Sequence, residues 1–287
     1  MEYVHREFAN EDSYRIFGDL FVSPPSSQKT FYRRYRNRET FKVKVPIDGC
    51  LQEMFLKSVR YKSYWHLIFV EPLMPSAALR YLTIADALGT IGIDTPLVIA
   101  AGEEKFLFAT KRTFILTKSV RNTVTLGQYL IATSRRPRSG SELTERRRII
   151  HCFAEMVQRL HRNKTFHLDL KPENILLNTE GGDAPSLALV DLDTAVIARP
   201  TGGMLPSVLR FADLLILTGH FSPVTHLKDR LRFLAVYSGQ KPCCKRFQKI
   251  RFFLISSPVL VQLHKCVHAM NLIQLIRRLL ICLRVVQ

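Results

Sequence analysis

Residues 166–178 read FHLDLKPENILLN and place an aspartate, a lysine and an asparagine at positions 169, 171 and 174. Transfer of a phosphoryl group needs a carboxylate to orient or deprotonate the attacking hydroxyl, hard oxygen ligands to hold magnesium on the phosphates, and cations to offset charge. Asp169 can act as that base or orienting group, Lys171 can neutralise the transferring phosphate, and Asn174 offers an amide oxygen to magnesium. Seventeen residues beyond Asn174, the apolar run LALV ends at Asp191. A hairpin would return this strand beside the loop and make Asp191 a second magnesium ligand. Asp193, two residues on and on the same strand side, either assists the metal or hydrogen-bonds the loop. The purely structural alternative has Asp169 capping a helix that starts near Pro172, with Asn174 a surface residue.

Other elements must position these groups. Thr40 to Val59 reads as two strands joined by a turn at Asp48-Gly49, with Lys57 on the second. Lys57 is either a functional cation or a solvated charge, with Lys42 and Lys44 on the first strand as alternatives. Residues 76–92 have helical spacing at Leu79, Leu82, Ala85 and Leu88. TPLVIAAGE and EKFLFATKRTFILTK read as further strands, and a lobe boundary is expected near 118–123. Next come a short helix and a basic Ser/Pro/Gly loop. From Leu143 a helix should bury Ile149, Ile150, Phe153, Met156, Val157 and Leu160, with Arg146 to Arg148 and Glu155 on its other face. ILLN, a TEGGD turn and the strand SLALVDLD follow, and 205–287 is helical by pattern.

The charge balance narrows the partners. Lys and Arg number 42 against 24 Asp and Glu, a net +18 that draws the chain towards polyanions. With 287 residues, 47% hydrophobic, the chain can bury one large core or two joined lobes. The six cysteines form no C-x-x-C pair, so neither a zinc site nor a disulfide framework is expected. The N-terminus carries acids in place of a signal peptide's apolar core, and no apolar run is long enough to span a membrane.

The pattern H-x-D-L-K-P-E-N-I-L-L followed by V-D-x-D resembles the protein-kinase-like superfamily. No G-x-G-x-x-G precedes Lys57, where RYRNRETFKVKVP stands instead, and no A-P-E follows Asp191, so the peptide platform of protein kinases is not expected. In order, FYRRYRNRETFKVKVP, MFLKSVRYKSYW, PSAALRYLTIADALGTIGIDTPLVIAAGE, AEMVQRLHRNKTFHLDLKPENILL, LVDLDTA and DRLRFLAVY resemble the lipopolysaccharide kinase family, which phosphorylates inner-core heptose or Kdo sugars. The resemblance implies an α+β, bilobal kinase-like fold: a small antiparallel-sheet N-lobe (1–120) and a mostly helical C-lobe (121–287). It implies ATP and magnesium as cofactors, with Lys57, Asn174 and Asp191 binding the nucleotide, and Asn174, Asp191 and Asp193 the metal. Asp169, Lys171 and His167 are then the catalytic set, His167 supporting the loop. Three departures stand out: Tyr81-Leu82 where members commonly carry Glu-Trp, Thr194 where Arg often follows D-x-D, and Leu168 in place of a small or basic residue.

The expected acceptor is the lipopolysaccharide core, with the protein in the cytoplasm and peripheral at the anionic inner-membrane surface, where each basic residue gains roughly 1 kcal/mol. The Leu272, Leu275, Leu279, Leu283 stripe, edged by Arg277, Arg278 and Arg284, suits core packing or that surface. Arg33, Arg34, Arg36 and Arg38 could hold substrate phosphates or form a solvated basic face. Competing readings are a nucleotide-binding pseudokinase scaffold at the membrane and a protein or small-metabolite kinase. Positive charge disfavours cationic acceptors, and no recognised nucleic-acid module is present.

Overall fold

In TFKVKVP the apolar Phe41, Val43 and Val45 alternate with Thr40, Lys42 and Lys44, and only the apolar set is buried. That period-two pattern builds the first part of the chain. The computed structural model describes residues 3–4, 11–22, 29–35, 38–47, 50–60, 76–106, 109–134, 139–178, 185–198 and 205–239. They divide into two compact units, one of residues 1–86 with 96–121, the other of residues 87–95 with the chain from Asn122 onward.

The first unit holds an antiparallel sheet of β1 (Tyr3–Val4), β2 (Lys29–Tyr35), β3 (Arg38–Ile47), β4 (Cys50–Arg60), β5 (Val98–Phe106) and β6 (Ala109–Lys118), in the spatial order β1-β5-β6-β4-β3-β2. β3 and β4 pair from Arg38↔Val59 to Ile47↔Cys50, so two residues connect them. The turn residues Asp48 and Gly49 themselves lie outside the described residues. Helix α1 (Glu11–Val22), which the sequence pattern did not announce, adds Phe17, Leu20 and Phe21 to a core with Phe41, Val43, Met54, Leu56 and Leu116. Lys57 is in register with Thr40 and Ile115. Strand alternation therefore puts it on the sheet face opposite Met54 and Leu56.

Helix α2 (Ala77–Thr90) begins at Ser76, whose hydroxyl accepts the Leu79 N–H at 3.1 Å. The unit boundary falls inside it, after Asp86. Of the GIDTP turn that follows, Gly92 to Thr95 belong to the second unit and Pro96 returns to the first. Arg159 donates to the Gly92 carbonyl at 2.7 Å, and the Leu189 N–H to the Asp94 carbonyl at 2.8 Å. Gly92 has φ +67, and a Cβ there would meet Arg159 Nη1 at 3.2 Å. Left-handed backbone costs an L-residue about 1–2 kcal/mol, so Gly92→Ala should lower stability in urea denaturation by about that amount.

The second unit comprises β7 (Val124–Thr125), α3 (Leu126–Ser134), α4 (Gly140–Arg162), β8 (Thr165–Phe166), β9 (Ile175–Asn178), β10 (Ser186–Leu189), β11 (Val196–Ile197), α5 (Leu205–Phe221) and α6 (Leu227–Ser238). A capping box between Ser139 and Glu142 starts α4, and its expected apolar stripe is buried. Arg146 departs from the expectation that it faces solvent: it is 1% exposed, and its Nε and Nη2 donate to Asp229 Oδ2 at 3.1 and 2.9 Å. The cause is helical spacing, since 146, 149, 150 and 153 share one face. Its Nη1 also donates to Thr133 Oγ1. Phe153, Phe221 and Phe233 pack with ring centroids 5.1–5.7 Å apart and join α4, α5 and α6. Among the described residues no helix is long and apolar enough to cross a membrane. The Leu272–Leu283 stripe lies outside the described residues.

Candidate active site

Strand β8 ends at Phe166 and β9 begins at Ile175, so residues 167–174 form the loop between them. Within it, Asp169 Oδ2 accepts from Lys171 Nζ at 2.7 Å and from Asn174 Nδ2 at 2.9 Å. Asn174 Nδ2 also donates to the Asp169 carbonyl at 2.9 Å. With both cationic and amide donors on Oδ2, the other carboxylate oxygen, Oδ1, accepts from none of the described residues and is left to receive another donor. With its amide nitrogen spent on Asp169, the buried Asn174 has its Oδ1 left for a cation. Residues 172–174 form one short 3₁₀ turn that receives no side-chain cap. Asp169 is therefore not a helix cap.

The β9–β10 hairpin pairs Ile175 with Leu189 and carries the chain back to Asp191. Three bonds tie this return to the loop: Val190 N–H to the Asn174 carbonyl at 3.0 Å, His167 Nε2–H to the Val190 carbonyl at 3.0 Å, and Thr194 Oγ1–H to the His167 carbonyl at 2.8 Å. Thr194, noted above as a departure, thus fastens the two segments together. Asp191 adopts φ 61, ψ 53, and Leu168 has φ 57. Left-handed backbone at non-glycine residues costs of order 1–3 kcal/mol and persists where surrounding bonds hold it. The strand stops at Leu189, and Asp193 lies in a 3₁₀ turn, Leu192–Thr194. This corrects the expectation that Asp193 projects from the strand, since period-two alternation does not extend into the turn.

The oxygens of Asn174 and Asp191 suit magnesium as hard donors. Among the described residues no group of three His, Cys, Asp or Glu could hold a metal alone. A magnesium ion here would complete its shell with phosphate oxygens and water, its usual habit.

Asp213, which the sequence reading passed over, supports the loop from below. It is fully buried on α5 and accepts the His167 N–H on Oδ2 at 2.8 Å and the Leu168 N–H on Oδ1 at 2.6 Å. His161 Nε2 lies 3.2 Å from the same Oδ2. The available signal was a lone acid inside the apolar run RFADLLIL. In Asp213→Asn one face of the side chain becomes a donor and meets another donor. A buried N–H then loses its partner, and stability should fall by about 1–3 kcal/mol in urea denaturation.

The remaining candidates stand elsewhere. Lys57 is on β4 of the first unit, half-buried. Of its alternatives, Lys42 forms an exposed ion pair with Glu53 at 2.9 Å, which holds the Glu53 carboxyl below its ordinary range, and Lys44 is exposed. Tyr81 is 5% exposed on α2. Arg36 lies outside the described residues, and Arg33 and Arg34 are described only as backbone of β2.

The model of the lipopolysaccharide kinase (Kdo/WaaP) family matches residues 29–201. No curated protein matches the chain. A solved structure described as WaaP in complex with acyl carrier protein superposes with a TM-score of 0.58 at 23% identity, over 83% of this chain and 86% of that one. That likeness establishes the bilobal, kinase-like α+β fold.

Proposed function

Because the chain belongs to the lipopolysaccharide kinase (Kdo/WaaP) family, and is thus a kinase, we propose that it uses ATP and magnesium to phosphorylate a heptose or Kdo hydroxyl of the lipopolysaccharide inner core. The observation that supports this most directly is the double grip on Asp169 Oδ2 by Lys171 and Asn174. It aims Oδ1 at the acceptor hydroxyl, which Asp169 orients and whose proton it takes as the oxygen attacks. Lys171 offsets charge on the transferring group. His167 holds the loop to Val190, and Lys57 is the nucleotide-phosphate lysine of this reading. Asn174 and Asp191 would hold magnesium, with Asp193 beside them. When bound, the ion neutralises charge on the nucleotide phosphates.

The acceptor is an anionic glycolipid, and a net charge of +18 favours peripheral attachment at the cytoplasmic face of the inner membrane. The solved neighbour is described in complex with acyl carrier protein, so a protein partner is a further reading, and one of net negative charge would suit +18. Buried Tyr81, standing where members commonly carry glutamate, favours one competitor, a pseudokinase scaffold.

Purified protein with labelled ATP and deep-rough lipopolysaccharide separates the two. Magnesium-dependent label in the core, located on a sugar by mass spectrometry, supports the kinase reading. Thermal stabilisation by ATP-magnesium without transfer to this or any other acceptor replaces it with the scaffold.

A further inference from the structure

The block DRLRFLAVY (229–237) takes no part in the chemistry above, yet its last residue reaches the catalytic loop through two other side chains. The Tyr237 hydroxyl, near the end of α6, lies 2.7 Å from His161 Nδ1, and the two rings meet edge to face with centroids 5.6 Å apart. His161, in the last turn of α4, is 2% exposed, and its Nε2 faces Asp213 Oδ2 at 3.2 Å. Asp213 in turn holds the amides of His167 and Leu168, the two residues before Asp169.

With a neutral imidazole, the donors and acceptors in this series have one consistent order. Asp213 already receives two backbone N–H groups, and a carboxylate can only accept again, so His161 Nε2 carries the ring proton. Nδ1 is then a lone pair that needs a donor, and the Tyr237 O–H is placed to supply it. Burial pushes the Tyr237 phenol up, against the opposing influence of Arg210, and keeps that hydroxyl a donor. Among the described residues, Asp213 of α5 and Tyr237 of α6 meet the imidazole, and Arg210 of α5 donates from Nη2 to the His161 backbone carbonyl at 3.4 Å. The backbone that carries Tyr237 is anchored as well. Gln158 of α4 donates to the Val236 and Tyr237 carbonyls at 3.0 and 2.7 Å, and Phe233 stacks on the Tyr237 ring.

We propose that Tyr237 is a positioning residue for phosphotransfer: by donating to Nδ1 it fixes the plane of the His161 ring, which keeps Nε2–H on Asp213 and Asp213 on the loop backbone, and so sets the placement of Asp169. Without the phenol oxygen, the buried Nδ1 lone pair has no donor, and the ring is free to turn. Turning draws Nε2–H away from Asp213 Oδ2, and the carboxylate, short of one donor, is held less firmly to the His167 amide. No atom of Tyr237 needs to touch substrate.

This proposal rests on the reading of residues 167–174 as the catalytic loop. Its test is Tyr237→Phe in the full chain, measured by ¹⁵N NMR of histidine-labelled protein and by steady-state transfer kinetics. The wild type should show His161 as an Nε2–H imidazole with its proton in a strong hydrogen bond, and the variant the same tautomer with that proton shifted upfield and exchanging faster. The variant's kcat should fall about tenfold, the scale of one lost buried hydrogen bond, with the KM for ATP unchanged. Wild-type kcat in the variant, a loss confined to KM, or an unchanged Nε2–H signal overturns the proposal. If the variant does not fold, the wild-type spectrum decides, because a protonated Nδ1 on neutral His161 is incompatible with it. Asp169→Asn run alongside keeps the two readings apart: full turnover there removes the catalytic-loop assignment, whereas inactivity there with an unaffected Tyr237→Phe removes only the role of Tyr237.

Discussion

Asp169→Asn should lower phosphotransfer by about 10²–10⁴-fold, the usual contribution of a positioned general base, with the fold retained. Asparagine keeps the shape of the side chain and can still accept from Lys171 or Asn174 through its remaining oxygen. It loses the proton acceptor, and one of its two faces turns from acceptor to donor. Lys171 Nζ, 2.7 Å from Oδ2 in the native loop, then lacks its carboxylate and is released towards solvent. The loss should appear in kcat, since among the described residues Asp169 bonds only within its own loop. Rates of label transfer to lipopolysaccharide, with circular dichroism as the folding control, check this. Transfer undiminished in the variant would move the catalytic base elsewhere in the chain.

Arg146→Ala should destabilise the protein by about 3–5 kcal/mol, the cost of stranding one partner of a buried ion pair. Arg146 and Asp229 have side chains only 1% and 8% exposed, so water cannot replace the lost guanidinium. Asp229 also accepts the His226 N–H at 3.3 Å as part of the box that starts α6. Removing Arg146 therefore loosens α6 at its first turn, while Thr133 and the Leu130 carbonyl of α3 lose a donor. Replacing the pair together, as Arg146→Met with Asp229→Leu, should cost less than Arg146→Ala, because no charge is left buried. What remains is the lost cap, about 1 kcal/mol, and the donor that Arg146 supplied to Thr133 and the Leu130 carbonyl. Urea denaturation of the three proteins measures the difference. A double variant as costly as Arg146→Ala, or more so, would mean that a stranded buried charge is not the cause of the loss.

Some of the site was legible because its parts are close in the chain. Asp169, Lys171 and Asn174 contact one another within six residues, so spacing alone carried their mutual reach. The β3–β4 pair and the α4 stripe were legible for a similar reason: burial on one face leaves a period of two or 3.6 in the residues themselves. The C-terminal half of SLALVDLD misled, since a strand pattern does not show where the backbone turns left-handed, and Asp191 does so after Leu189. Arg146 misled in another way. Its type suggested solvent, while its place on the helix fixed the face it occupies.

By itself, then, the sequence determined the local chemistry of residues 166–178, the alternation that makes the first unit's sheet, and the family to which both belong. Only the tertiary structure decided what holds that chemistry still. Asp213 reaches Leu168 and His167 from 45 and 46 residues away, Tyr237 reaches His161 across 76, and Asp229 reaches Arg146 across 83. Hydrogen bonds of buried polar groups must be satisfied, but the chain can satisfy them with any partner that packing brings near. Which partner that is depends on how α4, α5 and α6 pack around Phe153, Phe221 and Phe233, and no spacing along the chain encodes it.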